Sequence, residues 1–515
     1  MGPGERRRGR DRGGVELRRV LDPDLARAVT GGAERAGPDL SRWGLALIGV
    51  TVVRLLVAAC TPISPDEAYY WVWSRALAPG YLDHPPMVAL WIRAGTALLG
   101  NGALGVRLLG PLSAAIGTLF LAQAARDLGS GDGPPSGRMV RAGVLLNATL
   151  ALGIGAVMMT PDTPLLFFMT LALWALGRLL ATGRGAWWLV LGAALGLACD
   201  SKYTAVLPGG GLALWCLCSR AGRAWLRTPW PWCGAVLAAI LFLPVIRWNE
   251  AHHWASFVRQ GGRAGDWRPA RAVQFLSELA GGQLGLMTPL IALAFGAGLW
   301  RAWRRAGRDP GAAVLLWWTI PAGLVFVQHA LGDRVQANWP VLLYPAMAIL
   351  AASPVWRFWR AGAALGFALT LLVYLQSTLA PVSLSPHLDI TLRQMAGWRG
   401  LARAVDGLAA PGGFVAADEY GLASELALAL PRRTVIGIEP RWALFALPRP
   451  AGGSGVFLCS MRRLRDLDLS PFSSATRIGT VERARKGNVA ERYAVFRVTL
   501  APGSPVGAAR LPAGE

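Results

Sequence analysis

The sequence predicts a polytopic α-helical membrane protein followed by a small α/β domain outside the membrane. Of its 515 residues, 53% are hydrophobic and only 16% are charged, whereas soluble proteins carry about 25% charged residues. Apolar runs of about 20 residues, the length that crosses a bilayer, recur from Leu45 to Leu379. After Pro381 these runs stop, and helix-like and strand-like patterns alternate.

Hydropathy and loop charge predict about 11 transmembrane helices. They lie at residues 43–61, 104–125, 140–158, 164–181, 186–199, 203–218, 230–247, 279–299, 312–330, 338–352 and 361–380. The stretch 87–100 is short and contains Arg93, so we interpret it as a helix at the membrane interface. Most loop arginines then fall on one side, which predicts a cytoplasmic N-terminus and an extracytoplasmic C-terminus.

The predicted spans divide the chain into four parts. Residues 1–42 form an Arg-rich cytoplasmic segment, and residues 43–380 form the membrane domain, whose first outer loop is 62–103. Residues 381–501 form a periplasmic α/β domain, and residues 502–515 form a tail. This topology predicts a multi-pass membrane protein; the bacterial inner (plasma) membrane, and with it a periplasmic location of the α/β domain, is what the resemblance to a bacterial family described below implies.

The net charge of +22 comes almost entirely from arginine, because lysine occurs only at Lys202 and Lys486. Arginine together with abundant alanine and glycine is typical of a GC-rich genome. No nucleic-acid-binding motif accompanies the charge, so we expect no nucleic-acid partner. Most of the six cysteines lie in or beside apolar runs. Their spacing excludes a disulfide framework and a zinc site.

The first outer loop begins with SPDEAYYW, which allows two interpretations of Asp66. Ser64, Pro65 and Glu67 fit a capping box at a helix start, and Asp66 would then be only one residue of that start. Alternatively, Asp66 is a carboxylate kept at the membrane surface for chemistry, near the acid and histidine of the later YLDHPP stretch. The aromatic residues between the two stretches are typical of an interfacial segment.

Two later spans carry further ionisable residues at their outer ends. Thr160, Pro161 and Asp162 also fit a helix start, with the carboxylate beside the helix N-terminus. Lys202 offers a compact ammonium that can contact a phosphate oxygen, in a chain that otherwise uses arginine. A lysine that snorkels from the end of a span is the alternative interpretation.

One predicted outer loop, residues 249–263, is rich in cations although the outer loops otherwise contain few. Arg259 and Arg263 in this loop indicate an anionic ligand such as a lipid phosphate. Ordinary anionic headgroups are the alternative ligand. Of the adjacent His252 and His253, at most one is expected to bind a metal, because neighbouring side chains seldom face one site.

Taken in order, several stretches resemble bacterial membrane glycosyltransferases of the GT-C fold class. This group is related to the family 39 dolichyl-phosphate-mannose protein mannosyltransferases and to the lipid A aminoarabinose transferase. The stretches are PDEAYY with YLDHPP, MMTPDTPLLFF, SKYTAVL, NEAHHWASFVRQGGR and QANWPVLLYPA. The resemblance extends from about residue 45 to residue 350 and implies a GT-C membrane domain.

The resemblance also implies roles for individual residues. Asp66 and Asp162 correspond to catalytic aspartates of the family, and Lys202 corresponds to a lysine before the sixth span. In the aminoarabinose branch a phosphate-contacting lysine stands where this chain has His84, so the substrate-binding role would fall to a histidine here.

That branch also binds a divalent metal through an acid and a later histidine. The corresponding residues in this chain are Asp83 and His253, or His252 in its place. We therefore expect a divalent metal as the one candidate cofactor.

The resemblance implies that a polyprenyl-phosphate sugar is the donor and that a lipid, glycan or protein on the extracytoplasmic face is the acceptor. Lys202 with Arg259 or Arg263 would neutralise the departing phosphate. Asp66 would take the proton of the acceptor hydroxyl on the opposite face of the sugar, which inverts the anomeric centre. The further residues expected to contact substrate are Glu67, Tyr69 and Tyr70.

A lipid or sugar transporter, or a flippase without transferase activity, is the alternative function. The many spans and the intramembrane Arg54 are compatible with transport. Two observations favour the enzyme: the halves of the chain are not duplicated, as they are in many transporters, and the polar residues fall at one membrane face.

Overall fold

The computed structural model describes residues 39–130, 134–261, 268–353, 358–501, 503 and 508–514. The predictions for residues 1–38 and for Arg263 lie outside these described residues. The helices of the membrane domain are α1 (Leu40–Cys60), α2 (Pro65–Arg75), α3 (Met87–Leu99), α4 (Ala103–Arg107), α5 (Leu109–Leu128), α6 (Pro135–Asn147), α7 (Leu150–Gly155), α8 (Asp162–Thr182), α9 (Trp187–Cys199), α10 (Val206–Cys218), α11 (Arg220–Leu226), α12 (Trp230–Ala251), α13 (Ala255–Gly261), α14 (Ala272–Met287), α15 (Pro289–Arg305), α16 (Pro310–Ala330), α17 (Tyr344–Ala352) and α18 (Trp359–Thr378).

The C-terminal domain alternates helices with strands. Its elements are α19 (Ile390–Met395), α20 (Trp398–Leu408), β1 (Phe414–Ala417), α21 (Tyr420–Ala429), β2 (Val435–Gly437), β3 (Ser454–Ser460), β4 (Phe472–Arg485), β5 (Asn488–Leu500) and β6 (Ala509–Arg510). Short 3-10 helices lie at Tyr203–Ala205, Pro269–Arg271, Trp339–Leu343, Pro440–Leu444 and Leu464–Asp466.

Helix α1 shows how a span of this chain forms. The Asp39 side chain accepts hydrogen bonds from the backbone N–H groups of Ser41 and Arg42 and so caps the helix. Large apolar side chains such as Leu45 and Leu56 remain 68% and 61% exposed, as expected for a helix whose outer face meets lipid. On the inner face, the buried guanidinium of Arg54 donates a hydrogen bond to Asn147, which gives this residue a partner inside the protein.

The apolar helices confirm a membrane-embedded protein. Within the described residues, six helices are long and apolar enough to cross a membrane, or seven if one bent pair counts as a single span. Three of the remaining predicted spans correspond to shorter apolar helices: α9, Tyr203–Cys218 and Trp339–Ala352. The count of about 11 and the orientation of the spans therefore stay predictions.

The predicted span at 279–299 is interrupted by a break between two helices. Helices α14 and α15 meet at a bend of 103°. Thr288, between them, has a φ of 69°, a conformation that ends a helix, and Pro289 offers no N–H donor for a continuous helix. The predicted span 140–158 is interrupted as well, because α6 ends at Asn147 and Thr149 caps α7.

Small residues allow the helices of the membrane domain to approach closely. Helix α9 packs against α12, and a Cβ added at Gly192 would meet the carbonyl oxygen of Gly234 at 2.1 Å. Within a membrane, such close backbone contact supplies the packing that hydrophobic burial supplies in water.

The C-terminal domain contains a six-stranded sheet in the order β4-β5-β3-β1-β2-β6. Strand β1 runs parallel to β2 and β3, whereas the β2–β6, β3–β5 and β4–β5 pairs are antiparallel. Part of the tail predicted at 502–515 belongs to this sheet, because β6 pairs with Ile436 and Gly437 of β2. Sequence alone missed this strand because two residues carry no periodicity.

The core of the C-terminal domain continues into the first outer loop. The fully buried Trp71 and Trp73 of α2 belong to the same hydrophobic cluster as Val415, Leu422 and Trp442. Helix α21 packs on α2 so closely that a Cβ at Gly421 would lie 2.7 Å from Cβ of Pro65. This contact sets the neighbouring Tyr420 beside the start of α2.

Candidate active site

The start of α2 is a complete capping box, as the sequence predicts. The Ser64 hydroxyl accepts a hydrogen bond from the Glu67 backbone N–H, and the Glu67 carboxylate accepts one from the Ser64 N–H at 3.0 Å. Pro65 occupies the first turn. The box fixes the backbone around Asp66, whose own side chain is left free for other contacts.

Glu67 is wholly buried, and its carboxylate is saturated, which means that protein groups already donate hydrogen bonds to both of its oxygens. Arg107 donates to both of its oxygens at 2.6 Å, and the Met159 backbone N–H donates at 2.9 Å. Burial opposes ionisation, but Arg107 and the backbone donors hold the pKa of Glu67 below its ordinary value. We infer that Glu67 joins three segments of the fold, in place of the substrate contact expected from the sequence.

Asp66, next to Glu67, is exposed to solvent where α2 meets the C-terminal domain; we call the region around Asp66, Asp83, Tyr420 and Arg441 the recess. Its Oδ1 accepts a hydrogen bond from the Tyr420 hydroxyl at 3.0 Å. The surrounding protein raises the pKa of Asp66 by desolvation, the Tyr420 hydrogen bond opposes the rise, and the charges of Asp83 and Glu67 add to it. An accessible carboxylate with a raised pKa suits a general base.

Asp83 lies in the same recess and is bound by cations. Its Oδ2 accepts hydrogen bonds from Arg441 at 2.7 Å and from the Tyr69 hydroxyl at 3.2 Å, and Arg259 lies 3.6 Å from Oδ1. The Arg441 guanidinium also stands 4.1 Å from the centre of the Tyr420 ring, a cation–π distance. Arg441 thus connects Asp83 of the first outer loop to the C-terminal domain.

Asp162 does not cap its helix. The N-cap position of α8 is Pro161, and no side chain caps it. Instead, Asp162 Oδ1 accepts a hydrogen bond from Lys202 Nζ at 2.7 Å, and Oδ2 accepts one from the Asn338 amide at 2.6 Å. The Lys202 side chain is only 6% exposed, which disagrees with the alternative of a snorkelling lysine.

Backbone hydrogen bonds join the first outer loop, which carries Asp66 and Asp83, to the segments that carry Asp162 and Lys202. The Met159 N–H that binds Glu67 lies three residues before Asp162. The Met87 N–H, at the end of the YLDHPP stretch, donates to the Asp200 carbonyl at 3.0 Å, two residues before Lys202. The predicted convergence of these residues at one end of the membrane domain is therefore observed.

An apolar cavity of about 190 Å³ reaches Asp162 and Asn338. It lies between α7, α8 and the end of α14. Its apolar lining includes Leu150, Ile154, Met158, Leu166, Leu286 and Val341. The cavity gives the Asp162 region an apolar neighbour, as a site for an amphipathic ligand requires.

The remaining residues predicted for the site differ in burial: some are buried and others are exposed. Tyr69 and Tyr70 are buried, and the Tyr70 ring lies edge-on to His84 with centroids 6.3 Å apart. Arg259 is 47% exposed and faces the recess through Asp83. His252 stacks on Trp248 and hydrogen-bonds its carbonyl oxygen.

The residues expected to hold a metal, Asp83 and His253, have the following surroundings in the structure. Asp83 is engaged by Arg441 and Arg259, and His253 is exposed with a φ of 54°. Over the described parts of the chain, no three His, Cys, Asp or Glu side chains come together to hold an ion. We therefore derive no catalytic step through a metal, and metal dependence stays a prediction.

Sequence reasoning missed three residues of the site: Asn338, Tyr420 and Arg441. Asn338 stands within the QANWP stretch that carried the family resemblance, so a polar residue among apolar ones was its signal. Tyr420 contacts Asp66 across 354 positions of the chain. Neither spacing nor periodicity marks a contact of that separation.

Three comparisons relate the chain to known proteins. The family described as dolichyl-phosphate-mannose-protein mannosyltransferase matches residues 83–248. The chain is 29% identical over 492 residues to the lipid A galacturonosyltransferase RgtD of Rhizobium johnstonii, covering 89% of this chain and 98% of RgtD. The crystal structure of ArnT from Cupriavidus metallidurans bound to undecaprenyl phosphate is similar with a TM-score of 0.62 and 16% identity, over 90% of this chain and 99% of ArnT.

These similarities indicate a membrane glycosyltransferase. The apo structure of the same ArnT is also similar, with a TM-score of 0.60 over 89% of this chain and 98% of ArnT, so the fold is that of the GT-C class. The chain resembles the group that contains the protein mannosyltransferases and ArnT, as its sequence motifs indicate. The alternative of a transporter without transferase activity finds no support in these similarities.

Proposed function

We propose that this protein transfers a sugar from a polyprenyl-phosphate donor to a lipid A-type glycolipid, at the extracytoplasmic face of the bacterial inner membrane. The observation that carries the proposal is the pairing of two sites at one end of the membrane domain: an accessible carboxylate, Asp66, and a buried ammonium, Lys202, held by Asp162. A base and a phosphate-binding cation are the two groups that this transfer requires.

The acceptor and donor classes rest on the relatives. RgtD is described as a lipid A galacturonosyltransferase, and ArnT has been crystallised with undecaprenyl phosphate. A uronic acid is therefore the first sugar to test on the donor.

Lys202 is suited to bind the donor phosphate. Its ammonium pairs with Asp162 Oδ1 at 2.7 Å, which holds the charge in a fixed position. The adjacent apolar cavity of about 190 Å³ would accept the first isoprenoid unit, and the exposed Arg259 would approach the phosphate from the recess. Prepositioned cations stabilise the charge that grows on a leaving phosphate.

Asp66 then acts as the base. The acceptor hydroxyl attacks the anomeric carbon, its proton passes to the Asp66 carboxylate, and a new C–O bond forms. The bond from the anomeric carbon to the phosphate oxygen breaks on the opposite side, and its electron pair leaves with the polyprenyl phosphate. One displacement of this kind inverts the anomeric configuration. Asp162 is less suited to be the base because Lys202 and Asn338 occupy both of its oxygens.

The test is a transfer assay with purified protein. Wild type and Asp66→Asn are given undecaprenyl-phosphate galacturonic acid, labelled in the sugar, together with lipid A. Loss of the base lowers transfer by about 10²- to 10⁴-fold, and folding is kept because Asn accepts the Tyr420 hydrogen bond as Asp does. Product with retained anomeric configuration, or undiminished transfer by Asp66→Asn, would contradict the proposal.

A further inference from the structure

A second, larger cavity lies beside the recess and takes no part in the mechanism above. It has a volume of about 1030 Å³ and lies between the outer end of α1 and the helices α20 and α21 of the C-terminal domain. One wall comprises Cys60, Pro62 and Ile63, which continue the apolar surface of α1. The cavity therefore extends from the lipid-facing end of a span into the polar C-terminal domain; we call it the interdomain groove.

Two arginines of α20 also line the interdomain groove. Arg399 and Arg403 are one helical turn apart, so they lie on the same face, and both are exposed. Over the described residues, neither has a carboxylate within 4.0 Å. Arg441 and Arg107, by contrast, are each paired with an acid. Two adjacent guanidiniums that lack an acidic partner suit a phosphate group.

The interdomain groove also contains a buried acid with no partner. Glu425 is only 4% exposed, its Oε1 is buried, and no side chain or backbone group of the described residues hydrogen-bonds to it. Burial and the charge of Glu67 raise its pKa well above the ordinary value, which favours a neutral carboxylic acid. Such a group donates one hydrogen bond and accepts another, as a sugar hydroxyl requires.

The position of Glu425 relates the interdomain groove to the candidate base. Glu425 follows Tyr420, the partner of Asp66, by five positions on α21. At about 1.5 Å per residue the two lie roughly 7.5 Å apart along the helix axis. The same helix therefore contributes a residue to the interdomain groove and a partner to the candidate base.

We infer that the interdomain groove binds the phosphorylated sugar headgroup of the glycolipid acceptor. Arg399 and Arg403 bind its phosphate, Glu425 binds a hydroxyl of the sugar, and the acyl chains leave along the apolar wall at the end of α1. The inference rests on the proposed function, because it assumes that the acceptor is a phosphorylated glycolipid.

The test separates acceptor binding from donor chemistry. The variant Arg399→Ala/Arg403→Ala is compared with Arg465→Ala/Arg497→Ala, which removes the same charge from exposed positions of the same domain outside the interdomain groove. The first variant raises the KM for lipid A about ten-fold or more and leaves the KM for the donor unchanged; the control variant changes neither. An equal effect of both variants, or an effect on the donor KM alone, overturns the inference.

A binding measurement keeps the inference testable even if transfer is never observed. Native mass spectrometry compares the purified protein with bisphosphorylated lipid A, dephosphorylated lipid A and phosphatidylglycerol. Wild type binds the bisphosphorylated form about ten-fold more tightly than Arg399→Ala/Arg403→Ala does, and the difference disappears with the dephosphorylated form. Equal binding of bisphosphorylated lipid A by both proteins, or the same difference with phosphatidylglycerol, overturns the inference.

A second variant tests the role of the buried acid. Glu425→Gln keeps both a donor and an acceptor and retains the affinity for lipid A, whereas Glu425→Leu fills the space without hydrogen bonds and lowers it several-fold. An unchanged affinity in the Leu variant contradicts the contact assigned to Glu425.

Discussion

The two carboxylates at the start of α2 are neighbours in sequence but face two different regions of the molecule. Glu67 points into the membrane domain, where Arg107, Ser64 and the Met159 backbone use its hydrogen-bonding capacity. Asp66 points into the recess beneath the C-terminal domain, where Tyr420 supplies its one described hydrogen bond.

The difference shows how one capping box can serve both structure and chemistry. The saturated acid joins segments that are distant in sequence, and a buried ion pair of this kind is costly to break. The capping box of Glu67 also fixes the backbone of the accessible Asp66, whose carboxylate keeps free lone pairs that can accept a substrate proton. In the proposed function, the two adjacent carboxylates therefore separate stability, which depends on Glu67, from catalysis, which depends on Asp66.

The largest effect is expected from changing Glu67 in the same way as Asp66. Glu67→Gln leaves the buried Arg107 charge uncompensated and lowers the free energy of unfolding by about 3–5 kcal/mol. Thermal unfolding in detergent measures the loss, with Asp66→Asn as the matched control. If the two amide variants unfold at the same temperature, the distinction between the two acids is wrong.

Replacing the buried Lys202 is expected to weaken donor binding more than it destabilises the fold. Lys202→Arg keeps the charge beside Asp162 but replaces a compact ammonium with a planar fork, which raises the donor KM by roughly 10-fold while the acceptor KM stays constant. Steady-state kinetics with each substrate varied in turn distinguish the two constants. A donor KM equal to that of wild type would show that Lys202 does not contact the donor phosphate.

The pH dependence of transfer sharpens the interpretation of Asp66. A base must be ionised, so activity is present above the pKa of Asp66 and is lost as the pH falls through it. Because burial raises that pKa, the acidic limb lies above the range of an ordinary aspartate. A pH–rate profile of kcat/KM measures the limb, which should be absent from the residual activity of Asp66→Asn.

The smallest effect is expected from the partner of Asp66 in the C-terminal domain. Tyr420→Phe removes a hydrogen bond that stabilises the ionised carboxylate, so the acidic limb moves to higher pH. On that limb the rate falls by about 2- to 10-fold, the size of one hydrogen bond, and it recovers as the pH rises. A uniform loss at every pH would indicate a packing role for Tyr420.

Much of the fold could be predicted from the sequence, because its signals are local. Apolar length marked the membrane domain, and Ser64 with Pro65 and Glu67 marked the start of α2. The bend at Thr288 was not predicted, because an apolar run in the sequence does not show the angle at which two consecutive helices will meet. Strand β6 escaped because its two residues are ordered by pairing with β2 and have no pattern of their own.

For the site, the sequence by itself determined which acids and cations stand at the ends of the spans. Only the tertiary structure decided which of these groups are saturated. It paired Glu67 with Arg107 and Asp162 with Lys202, and it brought Tyr420 to Asp66 from 354 positions away. The physical reason is that a carboxylate's role depends on its hydrogen-bond partners and its access to water, and both come from segments that the folded chain brings together.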